Sequence, residues 1–192
     1  MFSKIILASQ SPRRKQLLEW AEVDFEIIVQ PTDESFPCEM EPRDVAVYIA
    51  KHKAEAVFAR LNNEHKTLPV LAADTMVVLD KKIIGKPKDR QHAVEILESL
   101  SGNKHTVITG VVIMYGNKTI SFADSTDVSF HPLTKSQIEF YVDKYKPYDK
   151  AGSYAIQEWI GVVGIQSVNG DFYNVMGLPV SRVVQELEKL KR

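Results

Sequence analysis

The stretch Ile5-Ile6-Leu7-Ala8-Ser9-Gln10-Ser11-Pro12-Arg13-Arg14-Lys15-Gln16-Leu17-Leu18-Glu19-Trp20 decides how the chain is read. Its four apolar residues predict a strand, Ser9 to Ser11 a tight loop, and Pro12 onward a helix. Ser11 has the chemistry of an N-cap. Pro12 suits the first helical position, where its missing N–H removes a donor that has no intrahelical partner anyway. Arg13 and Arg14 then fall in the first turn, at the positive pole of the helix dipole, where each cation is disfavoured by about 0.3–1 kcal/mol. An anion bound at the helix start compensates that cost. With a row of free backbone N–H groups, two serine hydroxyls and two guanidinium groups in place, the natural anion is phosphate. The alternative is a pair of solvated arginines on a surface helix; the ordered strand-loop-helix context favours phosphate.

Working outward, the chain alternates element types without repeats. Phe25 to Val29 predicts a strand, followed by a polar loop over residues 30–42 that carries Pro31, Pro37 and Pro42. Arg43 to Leu61 has a broad apolar helical face, from Val45 and Ile49 to Val57 and Leu61. Val70–Ala73 and Thr75–Leu79 read as strand on either side of Asp74, with a hairpin through Asp80-Lys81-Lys82 to Ile83-Ile84. Asp89 caps a helix to Leu100. Two strands follow, Thr106–Met114 and Ile120–Phe130, joined at Gly116-Asn117. Thr134 and Gln137 form a capping box for a helix to Tyr145. A strand over Val162–Val168, a hairpin turn at Asn169-Gly170, a strand over Phe172–Met176 and a helix after Pro179 complete the expectation. Helices interleaved with both crossover and hairpin-paired strands imply an α/β fold with a mixed sheet.

Composition sets the outer bounds. The 192 residues, 44% of them hydrophobic, suffice for one large domain or two closely joined lobes. Twenty-four basic against 25 acidic residues give a net charge of −1, so the molecule as a whole is not drawn to nucleic acid or to an anionic membrane. Cys38 is the single cysteine, which excludes an intrachain disulfide and points to a reducing compartment, the cytoplasm. No apolar stretch approaches membrane-spanning length.

Asp74 lies inside Leu71-Ala72-Ala73-Asp74-Thr75-Met76-Val77-Val78-Leu79. A carboxylate among apolar and small residues needs a cation, a hydrogen-bond network or a metal. It is either an aspartate at a bulge satisfied by the backbone and Thr75, or a general base or metal ligand at a strand break. Lys53 falls in the middle of the apolar arc of its helix, so it must either snorkel or reach an anion. Glu34, next to Asp33, offers a loop carboxylate. Lys86 is pinned between Gly85 and Pro87. Gln157 closes Tyr154-Ala155-Ile156-Gln157 and carries the donor and acceptor needed to read a base edge.

Ser9-Gln10-Ser11-Pro12-Arg13-Arg14, Ala73-Asp74-Thr75, Gly85-Lys86-Pro87, Asp149-Lys150-Ala151-Gly152, Tyr154-Ala155-Ile156-Gln157 and Gly177-Leu178-Pro179 together resemble the Maf family of nucleoside triphosphate pyrophosphatases, in order and over nearly the whole chain. The branch most similar hydrolyses dTTP and UTP. The resemblance implies that Arg13, Thr75 and Gln157 set substrate choice, that Asp74 accepts a proton, and that Ser9, Arg14, Glu34, Lys53 and Lys86 line the active site. It further implies a divalent cation, Mg²⁺ or Mn²⁺, a mixed twisted sheet flanked by helices in two lobes around a cleft as in inosine triphosphate pyrophosphatases, a single functional domain over residues 1–192, and often a homodimer. Glu158 departs from the family pattern, which more often has glycine after the glutamine.

The implied chemistry is in-line attack by water on the α phosphorus of a nucleoside triphosphate, with pyrophosphate as an anionic leaving group. Charge neutralisation is its main requirement. Arg13, Arg14, Lys53 and Lys86 are the expected cradle of the triphosphate, and Asp74 with Glu34 the expected metal partners and base. Such an enzyme serves nucleotide-pool sanitation. A non-catalytic nucleotide sensor tied to septum formation is the alternative, against which the presence of a base stands. The five histidines have no zinc-ligand spacing, and a Walker-type loop is absent from the sequence.

Overall fold

The computed structural model describes residues 2, 4–62 and 65–190. In chain order its regular elements are β1 (Ile5–Leu7), α1 (Pro12–Trp20), β2 (Phe25–Ile27), α2 (Pro42–Phe58), β3 (Val70–Leu79), β4 (Lys82–Ile84), α3 (Arg90–Leu100), β5 (Lys104–Tyr115), β6 (Lys118–Phe130), α4 (Lys135–Tyr145), α5 (Trp159–Gly164), β7 (Ile165–Asn169), α6 (Phe172–Met176) and α7 (Val180–Leu190). The strands form one sheet in the order β2-β1-β3-β5-β6-β7, with β4 paired to β3. β1 runs parallel to β2 and β3, whereas β4 and β7 run antiparallel to β3 and β6. The sheet is therefore mixed, as the interleaved pattern predicts.

Two compact units divide the chain. The first comprises residues 1–75, 109–124 and 177–192, the second residues 76–108 and 125–176. In the first, α2 lays Ala50, Ala54 and Val57 over Ile6 and Ala8 at β1, Val70 and Ala72 of β3 and Val112 of β5. Small residues on α2 allow a close approach: a Cβ on Gly110 of β5 would lie 2.2 Å from the Ala46 carbonyl carbon. In the second unit, α3 packs on α4, and His105, Phe130 and Tyr154 form an edge-to-face aromatic nest.

Most local signals act as the sequence predicts. Ser11 accepts the Arg14 N–H, and Asp89 caps α3. Thr134 and Gln137 close a capping box. The two-residue turn after β3 has positive φ at Asp80 and Lys81, the requirement of a type I′ hairpin. Pro42, expected in the loop, instead opens α2 at its first turn, as Pro12 opens α1.

Two expectations are overturned. No strand break occurs at Asp74: β3 runs unbroken from Val70 to Leu79, because the carboxylate finds a cation on the neighbouring helix and needs no bulge. The hairpin expected over residues 162–176 is also absent. Residues 159–164 are helical, 165–169 pair with β6, and 172–176 form a helical turn. A type I′ turn needs positive φ at both central residues; Gly170 has φ 126° but Asn169 is not among the positive-φ residues. Instead Asp171 Oδ1 accepts the Tyr173 N–H at 2.8 Å, a helix-starting contact. Asn174 is buried, donating to the Val107 carbonyl at 3.1 Å and to Thr126 Oγ1 at 3.0 Å.

Candidate active site

The period of two along β3 places the site. Val70 and Ala72 face α2 in the apolar core, so Asp74, two residues further on, faces α2 as well, and Thr75 faces the opposite side. On α2, Lys53 follows Ala50 by three and precedes Ala54 and Val57 by one and four, so it projects from the same face. It does not snorkel. Its Nζ lies 2.7 Å from Asp74 Oδ1 and 2.7 Å from Glu34 Oε1. The side chains of Lys53 and Asp74 are 18% and 17% exposed, whereas that of Glu34, on the loop before α2, is 55% exposed. Lys53 takes only Oδ1; Asp74 Oδ2 makes no hydrogen bond to the described residues. One ammonium thus meets two carboxylates.

On the other side of β3 stands Arg14. Its Nε donates to the Gly177 carbonyl at 2.9 Å, one terminal nitrogen to Ser9 Oγ at 3.0 Å and the other to Thr75 Oγ1 at 3.1 Å. Ser9 Oγ also accepts the Ser11 N–H at 3.2 Å, which shapes the loop before α1. Thr75 Oγ1 further lies 2.9 Å from Thr109 Oγ1 and 3.3 Å from the Gly177 carbonyl oxygen. Burial lowers the Arg14 pKa, while the charge of Asp74 raises it. An arginine stays charged in either case. All three contacts of this buried cation are therefore to neutral oxygens. A positive charge so held keeps its field for an anion outside, and it sits in the first turn of α1, where backbone N–H groups add to it. Arg13, the neighbouring residue, is half-exposed on the same turn.

The remaining candidates lie in the second unit. Lys86 is exposed in the segment after β4, beside buried Pro87, and the Gly85 carbonyl accepts the Gly152 N–H at 3.2 Å. Gln157 is exposed at the tip of the turn before α5, between buried Ile156 and half-buried Glu158. Thus Ser9, Arg14 and Thr75 come together, as do Glu34, Lys53 and Asp74, on consecutive residues of β3.

Three participants escaped the sequence reading. Thr109 and the Gly177 carbonyl complete the Thr75–Arg14 network, and Tyr141 reaches the Gln157 turn. Thr109 and Tyr141 lie in apolar periodic stretches where they look like core. The available signal for Gly177 was its place in Gly177-Leu178-Pro179 and its φ of 120°.

Two carboxylates that converge on one ammonium are hard oxygen donors of the kind Mg²⁺ and Mn²⁺ take. Among the described residues no group of three His, Cys, Asp or Glu side chains is arranged to hold a metal. Glu34 and Asp74 are the two carboxylates at this site whose oxygen chemistry fits a hard divalent cation.

The profile of the family described as Maf-like protein matches residues 4–190, running through both units. A protein of Cytophaga hutchinsonii named dTTP/UTP pyrophosphatase is 48% identical over 97% of this chain and 84% of its own length. Proteins of the same name from Parabacteroides distasonis and Bacillus cytotoxicus are each 45% identical, over 96% and 97% of this chain and 95% of their own lengths. Among solved structures, the Staphylococcus aureus Ham1 protein superposes with a TM-score of 0.55 at 16% identity, covering 98% of this chain and 100% of that one. That likeness concerns the fold and bears out the expected α/β architecture.

Proposed function

The chain belongs to the Maf family, and on that premise we propose that it is a nucleoside triphosphate pyrophosphatase that hydrolyses dTTP and UTP to the monophosphate and pyrophosphate. One observation carries the proposal: adjacent residues of a single strand, Asp74 and Thr75, anchor a carboxylate–lysine cluster and a buried arginine with neutral hydrogen-bond partners. The first suits activation of water, the second suits a polyphosphate.

Arg14, Ser9 and the start of α1 hold phosphate oxygens, and the fixed guanidinium stabilises the charge that develops on the departing pyrophosphate. Asp74 Oδ2 accepts a proton from the water that attacks the α phosphorus. Lys53, on Oδ1, keeps that carboxylate aimed. Glu34 and Asp74 would hold a divalent cation, Mg²⁺ or Mn²⁺, which would supply neutralisation of the phosphate charge. Lys86 supplies a further cation to the triphosphate. Arg13 and Thr75 contribute to substrate choice, Thr75 through its hold on Arg14, and Gln157 reads the pyrimidine edge with its amide. Among the described residues no helix is long and apolar enough to cross a membrane. The exposed, unpaired Cys38 supports a cytoplasmic enzyme acting on the nucleotide pool.

The test is pyrophosphate release from a panel of normal and modified nucleoside triphosphates, with and without Mg²⁺ or Mn²⁺. Fast metal-dependent release from dTTP and UTP is expected. Nucleotide binding without release from any substrate would overturn the assignment and favour a sensor.

A further inference from the structure

Gln157 occupies the third position of a four-residue turn, Ala155 to Glu158, in which the Glu158 N–H donates to the Ala155 carbonyl at 3.0 Å. The central peptide of such a turn is free to swing unless both ends are held. Here both ends are held by one atom. Tyr141 of α4 is wholly buried. Its phenolic oxygen accepts the Ala155 N–H at 3.2 Å, and its O–H donates to the Glu158 carboxylate. The other Glu158 oxygen lies 3.6 Å from Lys150 Nζ, which is buried to 8% exposure and bound at 2.8 Å to Asp149. The lysine orients the carboxylate, the carboxylate orients the phenol, and the phenol pins the turn. Burial, and then the hydrogen bond to Glu158, raise the Tyr141 pKa, so the O–H stays protonated and able to donate.

We propose that Tyr141 and Glu158 are positioning residues that clamp the Ala155–Glu158 turn and so fix the Gln157 amide for nucleobase selection. The proposal rests on the assignment of Gln157 as the base-reading residue. An amide that reads a base edge by a donor and an acceptor requires a defined orientation, and displacement of about 1 Å in such a group can cost up to 10²-fold. A clamp of this kind acts on discrimination between bases and not on the phosphate chemistry.

The experiment is kcat and KM for UTP and CTP with the full-length parent and the variants Gln157→Ala, Tyr141→Phe, Glu158→Ala and Glu158→Gln, each checked for folding by circular dichroism. The ratio of kcat/KM for UTP over CTP is the readout, because general destabilisation lowers both numbers together and leaves the ratio in place. Glu158→Ala and Tyr141→Phe are expected to lower the ratio about fivefold to tenfold, in the same direction as Gln157→Ala and mainly through KM for UTP. Glu158→Gln keeps an acceptor for the Tyr141 O–H and is expected to stay within about twofold of the parent. If Gln157→Ala lowers the ratio while folded Tyr141→Phe and Glu158→Ala leave it within twofold, the clamp is overturned and the base-reading assignment stands. If Gln157→Ala itself leaves the ratio unchanged, that assignment falls and the clamp with it. Should Tyr141→Phe fail to fold, the contrast between Glu158→Ala and Glu158→Gln decides: equal loss in both overturns the proposal.

Discussion

Arg14 and Lys53 flank the same strand and meet the burial of a cation in opposite ways. Lys53 is over-compensated by two carboxylates, Glu34 and Asp74. Arg14 has hydroxyl and carbonyl oxygens alone, from Ser9, Thr75 and Gly177. The hydrogen-bond partners of Arg14 are all neutral, whereas Lys53 meets two carboxylates. Two neighbouring residues of one strand, Asp74 and Thr75, thus hold two cations by different chemistry.

The contrast can be broken most severely at Asp74. Asp74→Asn keeps shape and hydrogen bonding but removes the proton acceptor, and we expect kcat to fall by about 10²-fold or more with the fold intact. Turnover within about threefold of the parent would remove Asp74 from the chemistry. Glu34→Gln removes one of the two carboxylates at Lys53 and leaves the proposed base in place. The Mg²⁺ concentration for half-maximal rate should rise by roughly tenfold to a hundredfold, read from a metal titration; an unshifted midpoint would take Glu34 out of the metal site. On the positive side, Arg14→Lys keeps the charge and loses the fork that spans three acceptors. A fall of about tenfold in kcat/KM is expected, and a variant kinetically equal to the parent would show that charge alone suffices.

A buried histidine answers burial in another way. His105 in the second unit is 2% exposed, 2.7 Å from the Tyr154 hydroxyl, with Nδ1 making no hydrogen bond to the described residues. Burial pushes its pKa down from 6.5 to about 4. Where Arg14 keeps its charge under burial, His105 gives its charge up. Between those two pKa values the unfolded chain binds the extra proton, so stability is full above pH 6.5 and falls as pH drops toward 4. From pH 7.5 to 5.5 the expected loss is about 1 kcal/mol, measured by urea denaturation, and His105→Phe should flatten that slope. A slope unchanged by the substitution would assign it to other groups.

How much of this was legible depends on where the signal lies. Capping chemistry is local, so Ser11-Pro12, Asp89 and Thr134 with Gln137 mark their helices correctly. A lysine in an apolar arc and an aspartate in an apolar strand are contradictions that a tertiary contact resolves, and the sequence leaves the partner of each open. The same contradiction misled the strand reading, since Asp74 looks like a break until Lys53 is in place. Residues 162–176 misread because Asn169-Gly170 mimics a hairpin turn, whereas the Asp171 carboxylate starts a helical turn there. Thr109 and Tyr141 were invisible because their polar atoms act across tens of residues of sequence while their periodicity is that of core. For Arg13, Lys86 and Gln157 the sequence motifs carry the assignment, and their roles stand as proposals.

On the proposed mechanism, water prepared by Asp74 attacks the α phosphorus while the pyrophosphate departs toward Arg14. Hydrolysis of dTTP in ¹⁸O-enriched water with Mg²⁺, followed by mass spectrometry of both products, tests it directly. One ¹⁸O atom is expected in the nucleoside monophosphate and none in the pyrophosphate, at a rate that collapses in Asp74→Asn. Label in the pyrophosphate, or release of orthophosphate in its place, would contradict it.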